Sequence, residues 1–487
     1  MSKIIIQNGN MCELNLPLKF AQKLYNEFAI RHPNAFYLRT RQRGMQNWDG
    51  KIHYITKTGQ FKIGLLPKVY DMCIEMGIKP KVVDMRQPLP KVSKVVTKIG
   101  KYKLRPEQKK AVKAVINNTI GGKPFHIGVL DYTVNAGKTL IMSSLYLSYK
   151  KQLKTLLITN DSDWLNQARE EFKQYLPGED ITFVQGKVLN WSNFTIGMVQ
   201  SISRNMRFYQ KELSQIDMVL IDEADQGGSR QYQNVITRLF NTRIRIGLSG
   251  TIYMSKLAKD KVKNMNLECF FGKVLAEFKL KDSIKKGYST KTVVKMIPGK
   301  PWYGNWESDC ISYKEIYDDS ITNCYTAWLM AYNRLLWNLN QGRYPALVVC
   351  KHIAHCENLY KFFKKKLGDA YNIAYVHVNT PSKLRQQIMK DFREGKIDIL
   401  VSTTIIARGK NFPKLKYLLN TASMLSNEKT IQFLGRLVRT DSSKKKAYVD
   451  DLMYPGNYLS RHARARKRYY QVEKLKVILV KRPKHKL

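Results

Sequence analysis

Ala136-Gly137-Lys138-Thr139 and Asp222-Glu223-Ala224-Asp225 are the two stretches of this chain whose residue types could do chemistry together. The first has the Gly-Lys-Thr core of a phosphate-binding loop. An apolar run at 127–130 precedes it and a helix-like run at 140–149 follows. That context lets backbone N–H groups and a helix N-terminus face phosphate oxygens while a lysine adds a point charge. The second stretch follows Met218-Val219-Leu220-Ile221, a pattern for a buried parallel strand. Its acids would then stand at the carboxyl edge of an open α/β sheet, where such sheets bind ligands. There Asp222 can hold Mg²⁺, and Glu223 can polarise a water that attacks a terminal phosphate.

Either stretch alone is weak. A short Gly-Lys-Thr arises by chance, Tyr132 stands where such loops usually have their first glycine, and an isolated Asp-Glu-Ala-Asp could be a solvated loop. Order, strand context and spacing are separate requirements, and both stretches meet all three.

The 487 residues suffice for about three domains, and a hydrophobic content of 44% supports folded cores. No apolar run approaches the roughly 20 residues of a membrane-spanning helix. The opening residues turn polar too early for a secretory signal, which predicts a cytoplasmic protein. Lys and Arg total 84 against 38 Asp and Glu, a net charge of +46. An excess of that size repels itself unless a polyanion neutralises it, which points to nucleic acid. Seven cysteines without a framework spacing read as reduced thiols. The run Cys350-Lys351-His352-Ile353-Ala354-His355-Cys356 offers zinc-ligand types, but it continues a strand into a helix, and a buried Cys350 is the simpler reading.

The elements that must position these groups fall into blocks. Residues 1–92 read as a small α+β module. It has strands near 4–6 and 12–16, a helix at 18–30, and hairpins carrying Phe36 through Arg43 and Asn47 through Tyr54. Trp48 is expected to pack in its core. A Pro- and Lys-rich linker follows. Strand patterns at 127–130, 155–159, 194–199, 218–221 and 245–248 alternate with helices, the signature of a doubly wound parallel sheet, through residue 288. A second such block spans 289–455, with a long helix at 313–340 and strands at 346–349 and 398–401. Residues 456–487 read as a separate basic segment that contacts phosphates.

In this order the motifs resemble those of superfamily 2 helicases and translocases, over roughly residues 104–440. The resemblance implies two RecA-like lobes plus the accessory module, and an ATP- and Mg²⁺-dependent motor. It implies that Arg105 and Gln108 recognise the base and that Asn135, Ala136, Gly137, Lys138, Thr139 and Gly409 bind the nucleotide. Thr139 and Asp222 would hold the metal, with Glu223 at the attacking water. Arg436, Arg439 and Gln432 would act on the phosphates, and Ser249, Gly250 and Thr251 would couple nucleotide state to movement. Ile252 after Thr251 departs from the proline common in relatives. On nucleic acid the expected contacts are Arg39, Arg41, Arg43, Lys51, Gln200, Ser201, Thr403, Arg461, Arg464 and Arg466. The amino-terminal block, with Asn47-Trp48-Asp49-Gly50-Lys51-Ile52 and Gly64-Leu65-Leu66, is similar to the accessory domain of UvsW-type phage recombination helicases. This implies branched or forked DNA as partner. The alternatives are an RNA helicase, or a basic nucleic-acid-binding scaffold with a degenerate ATP site at Tyr132.

Overall fold

The computed structural model describes residues 2–41, 45–149, 152–186, 188–250, 252, 261–299, 312–407, 412–425 and 427–480. The chain divides into two compact units, Met1–Tyr132 with Gly137–Phe278 and Lys279–Leu487 with Thr133–Ala136.

The first unit is built on an eight-stranded sheet. From edge to edge its strands are Val188–Leu189, Ile181–Gln185, Phe194–Met198, Thr155–Thr159, Met218–Asp222, Ile244–Ser249, His126–Tyr132 and Val274–Phe278. Seven run parallel, and only Val188–Leu189 is antiparallel. His126–Tyr132, Thr155–Thr159, Met218–Asp222 and Ile244–Ser249 are buried along their whole length, as strands covered by helices on both faces must be. The second unit has seven strands, all parallel: Ile373–Val376, Ile399–Ser402, Ala346–Val349, Tyr417–Asn420, Lys446–Met453, Lys291–Pro298 and Lys476–Leu479. Two parallel-sheet α/β lobes are thus present, as the alternating pattern required.

The amino-terminal residues form a four-stranded sheet ordered Gln60–Lys62, Met11–Asn15, Lys3–Ile6, Lys81–Asp84. This block is not self-contained. Ile4, Leu24, Phe61 and Val69 share one apolar cluster with Ile127, Leu156 and Phe271 of the first lobe. Two glycines permit the approach. A Cβ at Gly9 would run into the carbonyls of Leu239, Phe240 and Thr242, and one at Gly64 into those of Glu268 and Cys269. Across the same seam Arg245, fully buried on Ile244–Ser249, donates to Gly9 O at 2.6 Å, Asn10 Oδ1 at 2.7 Å and Phe270 O at 3.2 Å. Tyr54 Oη donates to Asn266 Oδ1 at 2.8 Å.

Several local expectations change. Phe36 through Arg41 is not a hairpin strand but part of the helix Ala35–Arg41. Its alternation has no buried side: Ala35 and Leu38, one helical turn apart, face inward, while Phe36 and Tyr37 stay in solvent. Gly50 keeps the positive φ of a turn, at 77°, but closes a longer excursion between Ala29–Arg31 and Lys51–His53. Trp48 is half-buried rather than a core residue, donating through Nε1 to Lys51 O at 2.9 Å.

The helix expected at 313–340 is broken. Tyr313–Tyr317 widens into a π turn at Asp318–Thr322, and Tyr325–Leu339 starts afresh. The interruption is stable because Trp328 Nε1 donates to the Ile321 and Thr322 carbonyls, and Asn358 Nδ2 also donates to Thr322 O. Finally, the described part of the expected basic segment, 456–480, is not detached. The helix Asn457–Val472 packs on Lys446–Met453, and Lys476–Leu479 pairs with Lys291–Pro298 inside the second sheet.

Candidate active site and nucleic-acid contacts

The strand His126–Tyr132 leads into the phosphate-type loop, and Lys138 opens the helix Lys138–Ser148. Asn135 and Gly137 have φ of 65° and 71°, so the loop turns through two left-handed residues around buried Ala136. Successive backbone turns of this kind face N–H groups toward an anion. Any other residue at Gly137 would be strained by its positive φ, and a Cβ there would force Gln108 Nε2 to shift. Gln108 is itself buried. Its Oε1 accepts from Arg105 N at 2.8 Å, capping the helix Pro106–Ile116, and its Nε2 lies 3.5 Å from Gly137 O. The pair expected to read a base therefore also braces the phosphate loop. Tyr132 departs from the usual glycine without disturbing it, because its ring is buried against Phe278 and its Oη donates to Glu107 O at 2.8 Å.

Asp222 ends its strand on the adjacent part of the sheet edge, with Oδ1 at 3.9 Å from Lys138 Nζ. That oxygen is buried and accepts no hydrogen bond among the described residues. Glu223 follows in a left-handed conformation, φ 51°. Asp225 is buried and accepts from Ser249 Oγ at 2.6 Å, a direct link between the ends of Met218–Asp222 and Ile244–Ser249. Asp161, which the motifs did not single out, completes the group. Burial pushes the Glu223 carboxyl up to about 8, and the charges of Asp222, Asp225 and Asp161 push the same way while Lys138 opposes them. Burial likewise raises Asp222, against Lys138. A signal for Asp161 was present in Thr159-Asn160-Asp161-Ser162, a helix-capping pattern immediately after a strand. Its Oδ1 indeed accepts from Trp164 N at 3.1 Å.

An edge so rich in carboxylate, with an orphaned Asp222 oxygen beside a lysine, fits a divalent cation carrying phosphates. Thr139 and Asp222 are the residues that would hold it.

Of the coupling residues, Ser249 is engaged as described, Gly250 follows it, and Thr251 lies outside the described residues. Arg436 and Arg439 are half-buried, Arg436 near the end of the helix Asn427–Leu437 and Arg439 just beyond it, with Arg439 O accepting from Thr290 Oγ1 at 3.0 Å. Gln432 is on that helix, its side chain outside the described residues, as are Gly409 and Arg43 entirely.

The expected nucleic-acid contacts divide sharply. Arg39, Arg41, Lys51, Arg461 and Arg464 are exposed. Gln200 and Ser201 are half-buried on the helix Val199–Arg204, where Ser201 Oγ accepts from Gly186 N at 2.9 Å. Thr403 is buried at the end of Ile399–Ser402. Arg466 must be struck from the set. It is fully buried, donating to both carboxylate oxygens of Asp451 at 2.8–3.1 Å and to the carbonyls of Met424 and Leu452. The basic run around it conceals a core ion pair. Within the Cys350–Cys356 run, Cys350 Sγ lies 3.7 Å from Thr421 Oγ1, and His355 Nδ1 shares a 2.9 Å hydrogen bond with Tyr317 Oη.

Comparison with known proteins agrees with this architecture. Residues 101–254 match the family of the Type III restriction enzyme res subunit, and residues 329–441 match the helicase conserved C-terminal domain. The ATP-dependent DNA helicase uvsW of Enterobacteria phage T4 is 22% identical over 475 residues, covering 88% of this chain and 86% of its own. A Sulfolobus islandicus filamentous virus relative is 22% identical over 385 residues, and the chain spans 64% of that protein's length. The fold is shared with the Type ISP restriction-modification enzyme LlaBIII bound to DNA, at a TM-score of 0.57, 14% identity and 86% of this chain against 34% of the other. It is shared equally with Saccharomyces cerevisiae Dbp5 bound to RNA and ADP BeF3, at 0.53, 14% identity, 78% and 90%. Among the described residues no helix is long and apolar enough to cross a membrane. With both helicase domains in order and the phosphate loop and acidic edge in place, the chain belongs to the superfamily 2 helicases.

Proposed function

We propose that the protein is an ATP- and Mg²⁺-dependent DNA motor that remodels branched or forked duplexes, moving junctions and displacing strands in phage-type recombination, repair or replication. It would act in the cytoplasm of the host cell. The observation that carries the ATP half is the edge formed by Lys138, Asp222 and Glu223. Lys138 and the loop N–H groups bind phosphate oxygens, and Thr139 and Asp222 hold the cation. Mg²⁺ bound there neutralises charge on the β- and γ-phosphates. Glu223 orients the attacking water and accepts its proton. Ser249 ties Asp225 to the next strand, so a change at the acidic edge is passed along the sheet. Arg436 and Arg439 are assigned the transition-state charge, a role typically contributing about 10³–10⁵ in rate.

The branched-DNA half is supported by the near full-length similarity to uvsW and by the accessory block fused to the first lobe. The test is ATP hydrolysis at moderate salt with a four-way DNA junction, linear duplex, single-stranded DNA and single-stranded RNA. Low salt would mislead, since a +46 chain binds any polyanion. Greatest stimulation by the junction is expected. Preference for RNA would replace the proposal with an RNA helicase, and no stimulation by any of them with a nucleic-acid-binding scaffold.

A further inference from the structure

The helix Ala35–Arg41 turns two adjacent aromatic rings outward. Phe36 is 80% exposed and Tyr37 53%. Solvent-exposed rings of this size cost hydration free energy unless something covers them. Their setting is cationic. The Arg41 guanidinium lies over the Tyr37 ring, 4.9 Å from its centroid. Beside them is a cleft of about 400 Å³ lined by Arg31, Phe36, Arg39, Thr40 and Lys51. Among the described residues the one carboxylate at its rim, Asp49, is already engaged. Its Oδ1 accepts from Lys51 N at 2.9 Å and its Oδ2 lies 2.6 Å from His53 Nε2. The platform is held firmly: Gly50, at φ 77°, brings its chain against Ala35, and His32 N donates to Gly50 O at 2.8 Å.

We propose that this face is a stacking site for unpaired bases of a single nucleic-acid strand, with Phe36 and Tyr37 under the bases and Arg31, Arg39 and Lys51 at the phosphates. Rings that accept any base face, flanked by cations spaced along a groove, are the recognition chemistry of single strands. An acidic protein segment would be served by the cations but would make little use of two exposed rings. The site rests on the proposed DNA-motor reading and deepens it. On a fork or junction it would hold bases freed from pairing, giving the accessory block a part in keeping strands apart.

The test is equilibrium binding of full-length protein to oligo(dT) and to blunt duplex DNA, without ATP, for the parent and Phe36→Ala/Tyr37→Ala. The pair should lose roughly 10- to 100-fold in oligo(dT) affinity. Duplex affinity should change less than about twofold, and Phe36→Trp should bind like the parent. Arg39→Ala/Lys51→Ala should instead weaken both ligands and lower the salt slope for oligo(dT) by about 0.7 per lost contact. Unchanged oligo(dT) affinity in the aromatic pair would overturn the proposal and leave the face to a protein partner. An equal loss on duplex would also overturn it. Should the pair unfold, the parent decides. A 2-aminopurine base in the unpaired arm of a forked DNA should be quenched on binding, and an unquenched base refutes stacking. Turnover in the substrate panel is a separate readout, so a motor that fails there while this selective loss persists would refute the motor alone.

Discussion

The first sheet ends, at the carboxyl edge of its central strands, in Asp161, Asp222, Glu223 and Asp225 beside Lys138, whereas the same edge of the second sheet ends in Ser402, Thr403, Asn420, Thr421 and Ser423. Both are parallel sheets wrapped by helices, so the fold does not explain the difference. In the first lobe burial, reinforced by the charges of Asp222, Asp225 and Asp161, pushes Glu223 up to about 8, a cost that a bound cation would relieve. In the second lobe the acid nearest its edge, Asp451, is neutralised internally. It accepts from Arg466, from Asn420 Nδ2 at 2.9 Å and from Tyr470 Oη at 2.7 Å. Asp222 thus keeps a buried oxygen with no hydrogen bond among the described residues, whereas both oxygens of Asp451 are engaged.

The largest expected break of this contrast is Glu223→Gln, which should lower stimulated turnover by about 10²–10⁴, read by steady-state phosphate release. Loss of less than tenfold would move the base elsewhere. Next is Asp451→Ala, which strands Arg466 without its carboxylate and should destabilise the second lobe by about 3–5 kcal/mol in denaturant titration. Ser249→Ala removes a hydrogen bond to a buried acid and should cost about 1–3 kcal/mol, with weaker stimulation by DNA.

The last contrast is in the pH response of the metal- and nucleotide-free protein, where the two signs oppose. Glu223 binds a proton more tightly folded than unfolded. Its contribution is thus present below the unfolded value of about 4.5 and lost as pH rises toward about 8. Burial lowers His355 from 6.5 to about 3, so its neutral form favours folding above 6.5, and that stability is lost as pH falls toward 3. By calorimetry, the Tm of Glu223→Gln relative to the parent should climb from pH 5 to 8, while that of His355→Gln should climb as pH drops from 7 to 5. Parallel trends would show that the two lobes do not differ in this way.

Much of the first lobe's edge was legible because each element announces itself locally: a short β-branched run, then a glycine loop or an acid. What stayed hidden was non-local or had two local readings. Phe36–Arg41 alternates like a strand, and only the inward facing of Ala35 and Leu38 decides for a helix. Arg466 looks like its exposed neighbours Arg461 and Arg464, and its partner Asp451 lies across the second lobe's own core. Gly9, Gly64 and Arg245 fuse the accessory block to the first lobe through contacts made more than 150 residues apart in sequence, which no local pattern encodes. The acidic motif named Asp222 and Glu223, but not that Asp161 would join them from a neighbouring strand.

Under the proposed function, the first lobe's edge would drive strand movement on branched DNA. The most direct test is conversion of a synthetic four-way junction to linear products with ATP and Mg²⁺ at moderate salt, comparing parent and Lys138→Ala. The parent should convert the junction only when ATP is present, and Lys138→Ala should bind it with near-parental affinity yet leave it intact. Conversion by Lys138→Ala at the parental rate, or by the parent without ATP, would contradict the account.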